Sequence, residues 1–299
     1  MKDYIIRAID KKGSIRVFIA TTTNMVEKAR QIHKTAPTAT AALGRVLTAA
    51  SIMGIMLKGD KDKVSLHIKG NGPIKSILAV ANSKGEVKGY ISNPNVDMPL
   101  REDGKLNVGL AVGREGKIIV IKDLGLREPY IGQSSLVTGE IAEDLTHYFA
   151  YSEQQPSAVA LGVLVDRDLS VKSSGGFILQ VLPDASDEVI AKLEHKLNNI
   201  EPISSLIDRG YTPEDILAHI FGEFEMEILE KKDIDFVCDC SRERLEEALV
   251  SVGKEELERI IKEDGKAELV CHFCNTKYHF DKRDLERLLK EAEKSEGED

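Results

Sequence analysis

The pattern of apolar and polar residues at the start of the chain predicts a β-hairpin followed by a long buried helix. Apolar residues alternate or run together in DYIIRAI and SIRVFIA, on either side of the turn residues DKKG, as in two strands joined by a tight turn. The segment TATAALGRVLTAASIMGIMLKG is rich in alanine and contains no proline. These properties favour a long, mostly buried helix that ends at Gly59.

The middle of the chain reads as short strands, one helix and two longer strands. Turn residues such as Asn71-Gly72-Pro73 separate five β-rich runs: KVSLHIK, IKSILAV, VKGYIS, LNVGLAV and KIIVIKD. In GEIAEDLTHYFAYS, the residues Ile141, Leu145 and Phe149 lie four apart, as on one face of a helix. PSAVALGVLVD and GGFILQVLP then predict long apolar strands of the core.

After Pro183 the pattern becomes helical. ASDEVIAKLEHKLNN, EPISSLIDRG and TPEDILAHIFG predict short amphipathic helices, with N-cap signals at Ser186 and Thr212. The last part of the chain carries three further helical stripes, and we expect its acidic end, KSEGED, to fray. The stripes are Leu245, Ala248, Leu249 and Val252, then Leu257, Ile260 and Ile261, and finally Leu285, Leu288, Leu289 and Ala292.

These elements predict an α+β protein in three parts. Residues 1–182 form a large mixed domain of β-sheets with packed helices. Residues 183–232 form a helical linker of low stability, and residues 233–299 form a small C-terminal domain that contains all four cysteines. The chain of 299 residues is long enough for one large domain and a smaller one.

Composition and charge narrow the functional classes. Hydrophobic residues make up 42% of the chain, charged residues 30%, and the net charge is −9. This charge disfavours binding to nucleic acid or to an anionic membrane. The longest apolar run, Val46 to Leu57, is too short to span a bilayer, and the N-terminus does not resemble a signal peptide. We therefore expect a cytoplasmic protein, in a compartment where thiols stay reduced.

The candidate chemistry lies in the cysteines, all four of which fall in the last part of the chain: Cys238, Cys240, Cys271 and Cys274. Residues 231–299 also carry 20 acidic and 14 basic residues. Two close pairs about thirty residues apart are typical of a zinc site with four thiolate ligands. Cys-x-x-Cys is the usual knuckle, and in an extended Cys-x-Cys segment both side chains point to the same side. The spacing therefore predicts one Zn²⁺ bound by all four thiolates in the reduced protein.

Other interpretations of these residues stay open. His272 or His279 could replace one thiolate, although their spacing is irregular and four thiols already suffice. The four cysteines could also be buried without a ligand, or could bind a zinc ion that is purely structural. Gly70-x-Gly72 does not continue into a phosphate-binding pattern, and no G-x-S-x-G motif marks a hydrolase.

Energetics suggest that this metal site acts as a switch. A domain of about 70 residues buries little core and is marginal alone, whereas zinc binding contributes about 10–16 kcal/mol to a small zinc module. Oxidation would join near neighbours, Cys238 to Cys240 and Cys271 to Cys274. A bridge between residues two apart is strained and readily reduced. We therefore interpret the site as a reversible, peroxide-sensitive latch.

The chain also resembles a known family, the bacterial 33-kilodalton heat-shock chaperonins, which are redox-regulated holdases. The resemblance rests on the four-cysteine spacing and on segments that occur in the family's order over most of the chain. These segments are LGRVLTAASIMG, IKGNGPI, GYISNP, YFAYSEQQPSAVALGVLV, GGFILQVLPDA and ELVCHFCNTKYHF.

The resemblance implies a mechanism and not an enzyme activity. The reduced protein holds zinc through the four cysteines and is inactive. Oxidant together with heat forms Cys238–Cys240 and Cys271–Cys274 and expels the zinc. The zinc domain and the linker then loosen, and the exposed apolar surface binds unfolding client proteins without ATP. The active form in this family is often a homodimer.

Two other functions compete with this one. The first is a nucleic-acid-binding protein with a zinc knuckle, which the acidic tail and the lack of a basic stripe disfavour. The second is a thiol oxidoreductase that uses Cys271-x-x-Cys274. Its weakness is that the pair does not lie between the strand and helix of a thioredoxin-like unit.

Overall fold

The structure, a computed structural model, describes residues 2–295 and divides into two compact units, Met1–Val237 and Cys238–Asp299. Residues 296–299 of the acidic end, for which fraying is expected, lie outside the described residues. In the described range the strands are β1 (Tyr4–Asp10), β2 (Ile15–Thr21), β3 (Lys63–Gly70), β4 (Ser76–Asn82), β5 (Glu86–Ile91), β6 (Gly116–Asp123), β7 (Tyr130–Ser135), β8 (Ser157–Val165), β9 (Val171–Val181), β10 (Met226–Asp233), β11 (Asp235–Phe236), β12 (Ala267–Val270) and β13 (Lys277–Phe280). The helices in the same range are α1 (Thr23–His33), α2 (Pro37–Ile55), α3 (Val108–Val112), α4 (Ala142–Tyr151), α5 (Asp187–Leu197), α6 (Ile203–Asp208), α7 (Pro213–Phe221), α8 (Arg242–Val250), α9 (Lys254–Glu263) and α10 (Lys282–Ser295), with a short 3₁₀ turn at Gly222–Phe224.

One sheet of the first unit is built on the predicted N-terminal hairpin. Its five strands lie in the order β10-β1-β2-β9-β8 and are all antiparallel. The hairpin and the two long apolar strands are confirmed. Strand β10 was not predicted, because MEILEKKD is highly charged and lacks apolar alternation. It forms by pairing with β1, for example Asp233 with Tyr4, and this partner cannot be inferred from local sequence.

The second sheet has six strands in the order β11-β5-β4-β3-β6-β7. All pairs are antiparallel except β11 with β5. The prediction of a strand at LNVGLAV was wrong, because residues 108–112 form helix α3. The side chain of Asn107 caps this helix by accepting a hydrogen bond from the Leu110 N–H at 3.1 Å. Gly113, at φ +88°, ends it.

Helix α2 is the central core element and packs against strands of both sheets. It is the one helix among the described residues that is long and apolar enough to cross a bilayer, but 94% of its apolar window is buried inside the protein. The helix ends at Ile55 and not at Gly59 as predicted. The chain tightens there, since the Leu57 N–H bonds to the Gly54 carbonyl, and Gly59 is held in the next turn by the Asp62 carboxylate.

The other face of the five-stranded sheet is covered by the predicted short helices, α5, α6 and α7. The side chains that point to this face include Ile6, Val17, Ile19, Phe177 and Leu179. They pack against apolar residues of the three helices to form a second core, namely Leu193, Ile203, Leu206, Ile216, Leu217, Ile220 and Phe221.

Local signals in the sequence set where these helices begin and how closely they pack. Ser186 accepts a hydrogen bond from the Val189 N–H, and Thr212 forms a capping box with Asp215, so both predicted N-caps are confirmed. A Cβ atom at Gly175 would lie 2.4 Å from Ile207 Cδ1. The absence of a side chain there lets α6 lie directly on the sheet.

The second unit combines helices α8, α9 and α10 with the β12–β13 hairpin. The three predicted stripes fall on these helices. Val252 is an exception, because it lies beyond the end of α8 and is 51% exposed. The buried side chains form a small core of Leu249, Leu257, Phe280, Leu285, Leu288 and Ala292. A core of this size indicates a unit of low intrinsic stability.

Candidate metal centre

The two cysteine pairs lie at turns of the second unit. Cys238 and Cys240 precede α8, whose N-cap, Ser241, accepts a hydrogen bond from the Arg244 N–H. Cys271 and Cys274 lie in the turn between β12 and β13. Backbone hydrogen bonds shape that turn: the Cys271 N–H donates to the Thr276 carbonyl and the Asn275 N–H to the Cys271 carbonyl.

The structure brings all four predicted cysteines together. Their sulfur atoms lie within 4.8 Å of one another, with Cys238 Sγ 3.7 Å from Cys271 Sγ and Cys240 Sγ 3.3 Å from Cys274 Sγ. All four are free thiols. In a tetrahedral zinc site with Zn–S bonds of about 2.3 Å, the sulfurs lie about 3.8 Å apart. The number, softness and spacing of these donors therefore fit Zn²⁺.

The two histidines considered as rival ligands do not join this group of sulfurs among the described residues. His279 lies on the exposed side of β13, with 70% of its side chain accessible, and its Nδ1 is 3.3 Å from a Glu268 carboxylate oxygen. His272 is exposed as well. The geometry thus favours four sulfur ligands.

Local contacts make the thiols chemically unequal in the metal-free protein. Burial acts to raise the pKa of Cys274, but hydrogen bonds to the side chain and backbone of Thr276 outweigh it and lower the pKa to about 7. Burial raises the pKa of Cys238 and of Cys240. Cys274 is therefore more ready to ionise than Cys238 or Cys240, and the thiolate is the form that binds metals and reacts with oxidants.

Sequence reasoning missed the residues that hold the two pairs together. Arg242 donates hydrogen bonds to the His279 carbonyl at 2.9 Å and to the Asp284 carboxylate at 2.7 Å. Its guanidinium group also lies over the Phe280 ring, 4.4 Å from the centroid. These contacts join the start of α8 to the hairpin and to α10. The sequence offered one signal for this role: Arg242 is a basic residue in the first turn of a helix, where the helix dipole favours acidic residues.

Comparisons with known proteins agree with this fold and site. Residues 3–281 match the family model described as Hsp33 protein. A 33 kDa chaperonin of Alkaliphilus oremlandii is 57% identical over 291 residues, which cover 97% of each chain. Another from Clostridioides difficile is 53% identical, over 97% of this chain and 100% of that relative. The crystal structure of the 33 kDa chaperonin from Thermotoga maritima matches with a TM-score of 0.88 at 41% identity, covering 97% of this chain and 98% of that one.

These matches define the class of protein as a chaperonin with an α+β fold, which confirms the predicted fold class. The chain belongs to the Hsp33 family, so the resemblance seen in its sequence is confirmed. Family membership supports a chaperone function. The cluster of four cysteines is consistent with a zinc site in this family.

Proposed function

We propose that this protein is a redox-regulated chaperone that holds unfolding proteins without ATP, and that it is not an enzyme. In the reduced, inactive form Cys238, Cys240, Cys271 and Cys274 bind one Zn²⁺. Oxidation with heat stress forms the disulfides Cys238–Cys240 and Cys271–Cys274, releases the zinc and activates client binding. The observation that carries this proposal is the cluster of four free thiols within 4.8 Å in a unit with a small core of its own.

The redox step follows from the chemistry of the thiolates. A bound zinc ion would keep all four sulfurs deprotonated at neutral pH, the state that oxidants attack. Each pair of thiolates gives up two electrons to one hydrogen peroxide molecule, so that an S–S bond forms, the O–O bond breaks and two hydroxide ions leave. Two such steps convert every ligand into a disulfide sulfur, a poor metal ligand.

The core under helices α5, α6 and α7 suggests which surface binds clients. Helices α5, α6 and α7 cover an apolar sheet face that includes Ile6, Val17, Ile19, Phe177 and Leu179. We propose a three-part organisation, with a substrate-binding domain at 1–182, a metastable linker at 183–232 and the redox-switch domain at 233–299. Departure of the linker would expose this face, and a large exposed apolar patch binds non-native chains.

The expected partners are unfolded or partly folded proteins, and the active form is a homodimer in the cytoplasm. We expect no binding to nucleic acid or to membranes. The net charge of −9 supports that exclusion, because like charges repel.

One experiment tests the proposal. Zinc-loaded protein is treated with peroxide at raised temperature, while zinc release, helix content and suppression of client aggregation are followed. We expect the three signals to change together and to reverse on addition of a reductant. A loss of zinc without any gain in client binding would contradict the proposal.

The same experiment separates the competing functions. Salt-sensitive RNA binding that does not depend on oxidation would favour a zinc-knuckle nucleic-acid-binding protein. Catalytic turnover of a disulfide substrate by the reduced protein would favour a thiol oxidoreductase.

A further inference from the structure

A tyrosine hydroxyl lies directly beside one sulfur of the metal centre. Tyr278 Oη is 3.3 Å from Cys240 Sγ and 3.4 Å from the Cys240 carbonyl oxygen. Tyr278 belongs to β13, which follows the second cysteine pair, whereas Cys240 belongs to the first pair, 38 residues earlier. The hydroxyl therefore connects the two halves of the site.

The Tyr278 side chain is well placed to act on this sulfur. Its ring is partly buried against the small core of the second unit, so the direction of the hydroxyl is set by packing. A hydroxyl carries one proton to donate. A thiolate is a charged acceptor, and hydrogen bonds to charged groups are stronger than those to a neutral carbonyl. When Cys240 is ionised, the proton is therefore directed to the sulfur.

We propose that Tyr278 is a positioning residue of the metal centre: its hydroxyl donates a hydrogen bond to Cys240 Sγ, keeps that ligand turned toward the other three sulfurs and slows loss of the metal. The inference rests on the proposed zinc site. It holds that the Tyr278 side chain sets the affinity of the site for the metal. Partners of this kind, which bind the ligand and not the metal, orient ligands and tune affinity in other metal sites.

The arrangement also couples the chemical state of Cys240 to the fold of the unit. The second pair is held in its turn by the backbone hydrogen bonds of Cys271 with Thr276 and of Asn275 with Cys271. Cys240 lies just before α8, and the hydroxyl of Tyr278 contacts it from β13. A sulfur in a disulfide has no charge and accepts weakly. Oxidation of Cys240 therefore weakens the hydrogen bond that joins the β12–β13 hairpin to the first cysteine pair. This happens in the same step that converts the thiolates to a disulfide.

The test is Tyr278→Phe, which removes the hydroxyl and keeps the ring. In reduced protein without client, we expect Zn²⁺ affinity, measured by competition with a chromophoric chelator, to fall about 10–100-fold. Peroxide should then release the zinc faster. With Co²⁺ as the probe, the thiolate-to-metal charge-transfer band should shift, because one thiolate has lost a hydrogen bond. Tyr211→Phe is the matched control, since that ring lies edge-on to His219 in the first unit, away from the cysteines.

Either of two results would overturn the inference. One is Zn²⁺ affinity within about twofold of the parent with an unmoved Co²⁺ band, since a hydrogen bond to a ligand is worth more than that. Another is a variant that stays unfolded at saturating zinc, judged by far-ultraviolet circular dichroism, which would make Tyr278 a core residue only. Because none of these measurements uses a client, they remain valid if the chaperone assay fails.

Discussion

At the scale of single residues, each cysteine pair has one sulfur beside a side-chain hydroxyl. Tyr278 Oη lies 3.3 Å from Cys240 Sγ, and Thr276 Oγ1 lies 3.1 Å from Cys274 Sγ. Both hydroxyls come from the segment that follows Cys-x-x-Cys. The hairpin therefore supplies two of the proposed ligands and the hydroxyl beside a third, so damage to the second cysteine pair should affect the whole site.

Because both hydroxyl contacts come from the segment after Cys271-x-x-Cys274, substitutions in this second pair give the clearest test of the ligand set. In a Cys271→Ser, Cys274→Ser double variant, two hydroxyls replace two thiolates, and a serine hydroxyl is a much poorer zinc ligand at neutral pH. We expect bound zinc to fall from one per chain to none, and the helices of the second unit to melt in the reduced protein. Metal analysis and circular dichroism check both effects.

The control for this variant is Val270→Ser, a change at the preceding residue, which is 40% exposed and bears no sulfur. It should keep one zinc per chain. A double serine variant that still bound one zinc would show that the four sulfurs are not the ligand set.

A second residue-scale prediction concerns Asp3, a buried carboxyl of the first unit. Burial raises the pKa of Asp3 to about 6 from 3.8, although hydrogen bonds from Met25 and Asn24 oppose the rise. Between these two pH values the unfolded chain loses the proton first, so the free energy of unfolding falls as the pH increases. Above pH 6 the full cost is about 3 kcal/mol; below about pH 4 both states are protonated and the cost vanishes.

Asp3→Asn should remove this pH-dependent cost, because an amide does not titrate. Its oxygen can still accept the hydrogen bond from the Met25 N–H. We expect the variant to gain stability relative to the parent as the pH rises from 4 to 7. Urea unfolding of metal-free protein, followed by tyrosine fluorescence, measures the difference. The exposed Asp60→Asn serves as control, and a gap between Asp3→Asn and the parent that does not change with pH would contradict the argument.

At the scale of elements, the local pattern predicted many, but not all, of the strands and helices that bury one face. The capped helices α5 and α7 and the paired strands β1 and β2 follow directly from it. The pattern misled at LNVGLAV, where apolar alternation imitates a strand but Asn107 and Gly113 delimit a helix. It gave no signal for β10, an edge strand whose charged side chains face solvent and whose partner is more than two hundred residues away.

The contact between the proposed linker and the sheet offers an element-scale prediction. Phe221 at the end of α7 is fully buried and packs edge-on against Phe177 of β9, with ring centroids 5.5 Å apart. Phe221→Ala should cost about 3–5 kcal/mol of this packing. Because the loss falls on the surface that holds the linker in place, we expect the reduced, zinc-loaded variant to suppress client aggregation without oxidant.

Phe149→Ala is the matched control. Phe149 is equally buried but lies in the core between the two sheets, so its loss should lower stability without exposing the face under the linker. If both variants bound client equally in their reduced, zinc-loaded form, general destabilisation and not release of the linker would explain the effect.

At the scale of the whole molecule, the two units differ in how much apolar core they contain. The first unit has two apolar cores, one between its sheets and one under helices α5, α6 and α7. Within the described residues, the second unit has one core of six buried side chains. The sequence indicated this difference through its cysteines and its charged tail. Beyond the N-terminal hairpin it could not indicate which strands are neighbours, nor which residues surround the sulfurs, because those contacts join distant segments.

This difference predicts the response to metal removal alone. If zinc contributes about 10–16 kcal/mol to a small module, chelation under reducing conditions should unfold the second unit and leave the first intact. Amide exchange followed by mass spectrometry should show loss of protection in α8, α9 and α10 while β1, β2 and β9 stay protected, and added zinc should restore it. The chelator saturated with zinc beforehand is the control. Continued protection of α8 and α10 without metal would mean that the small core suffices, and the sulfurs could then not serve as a latch.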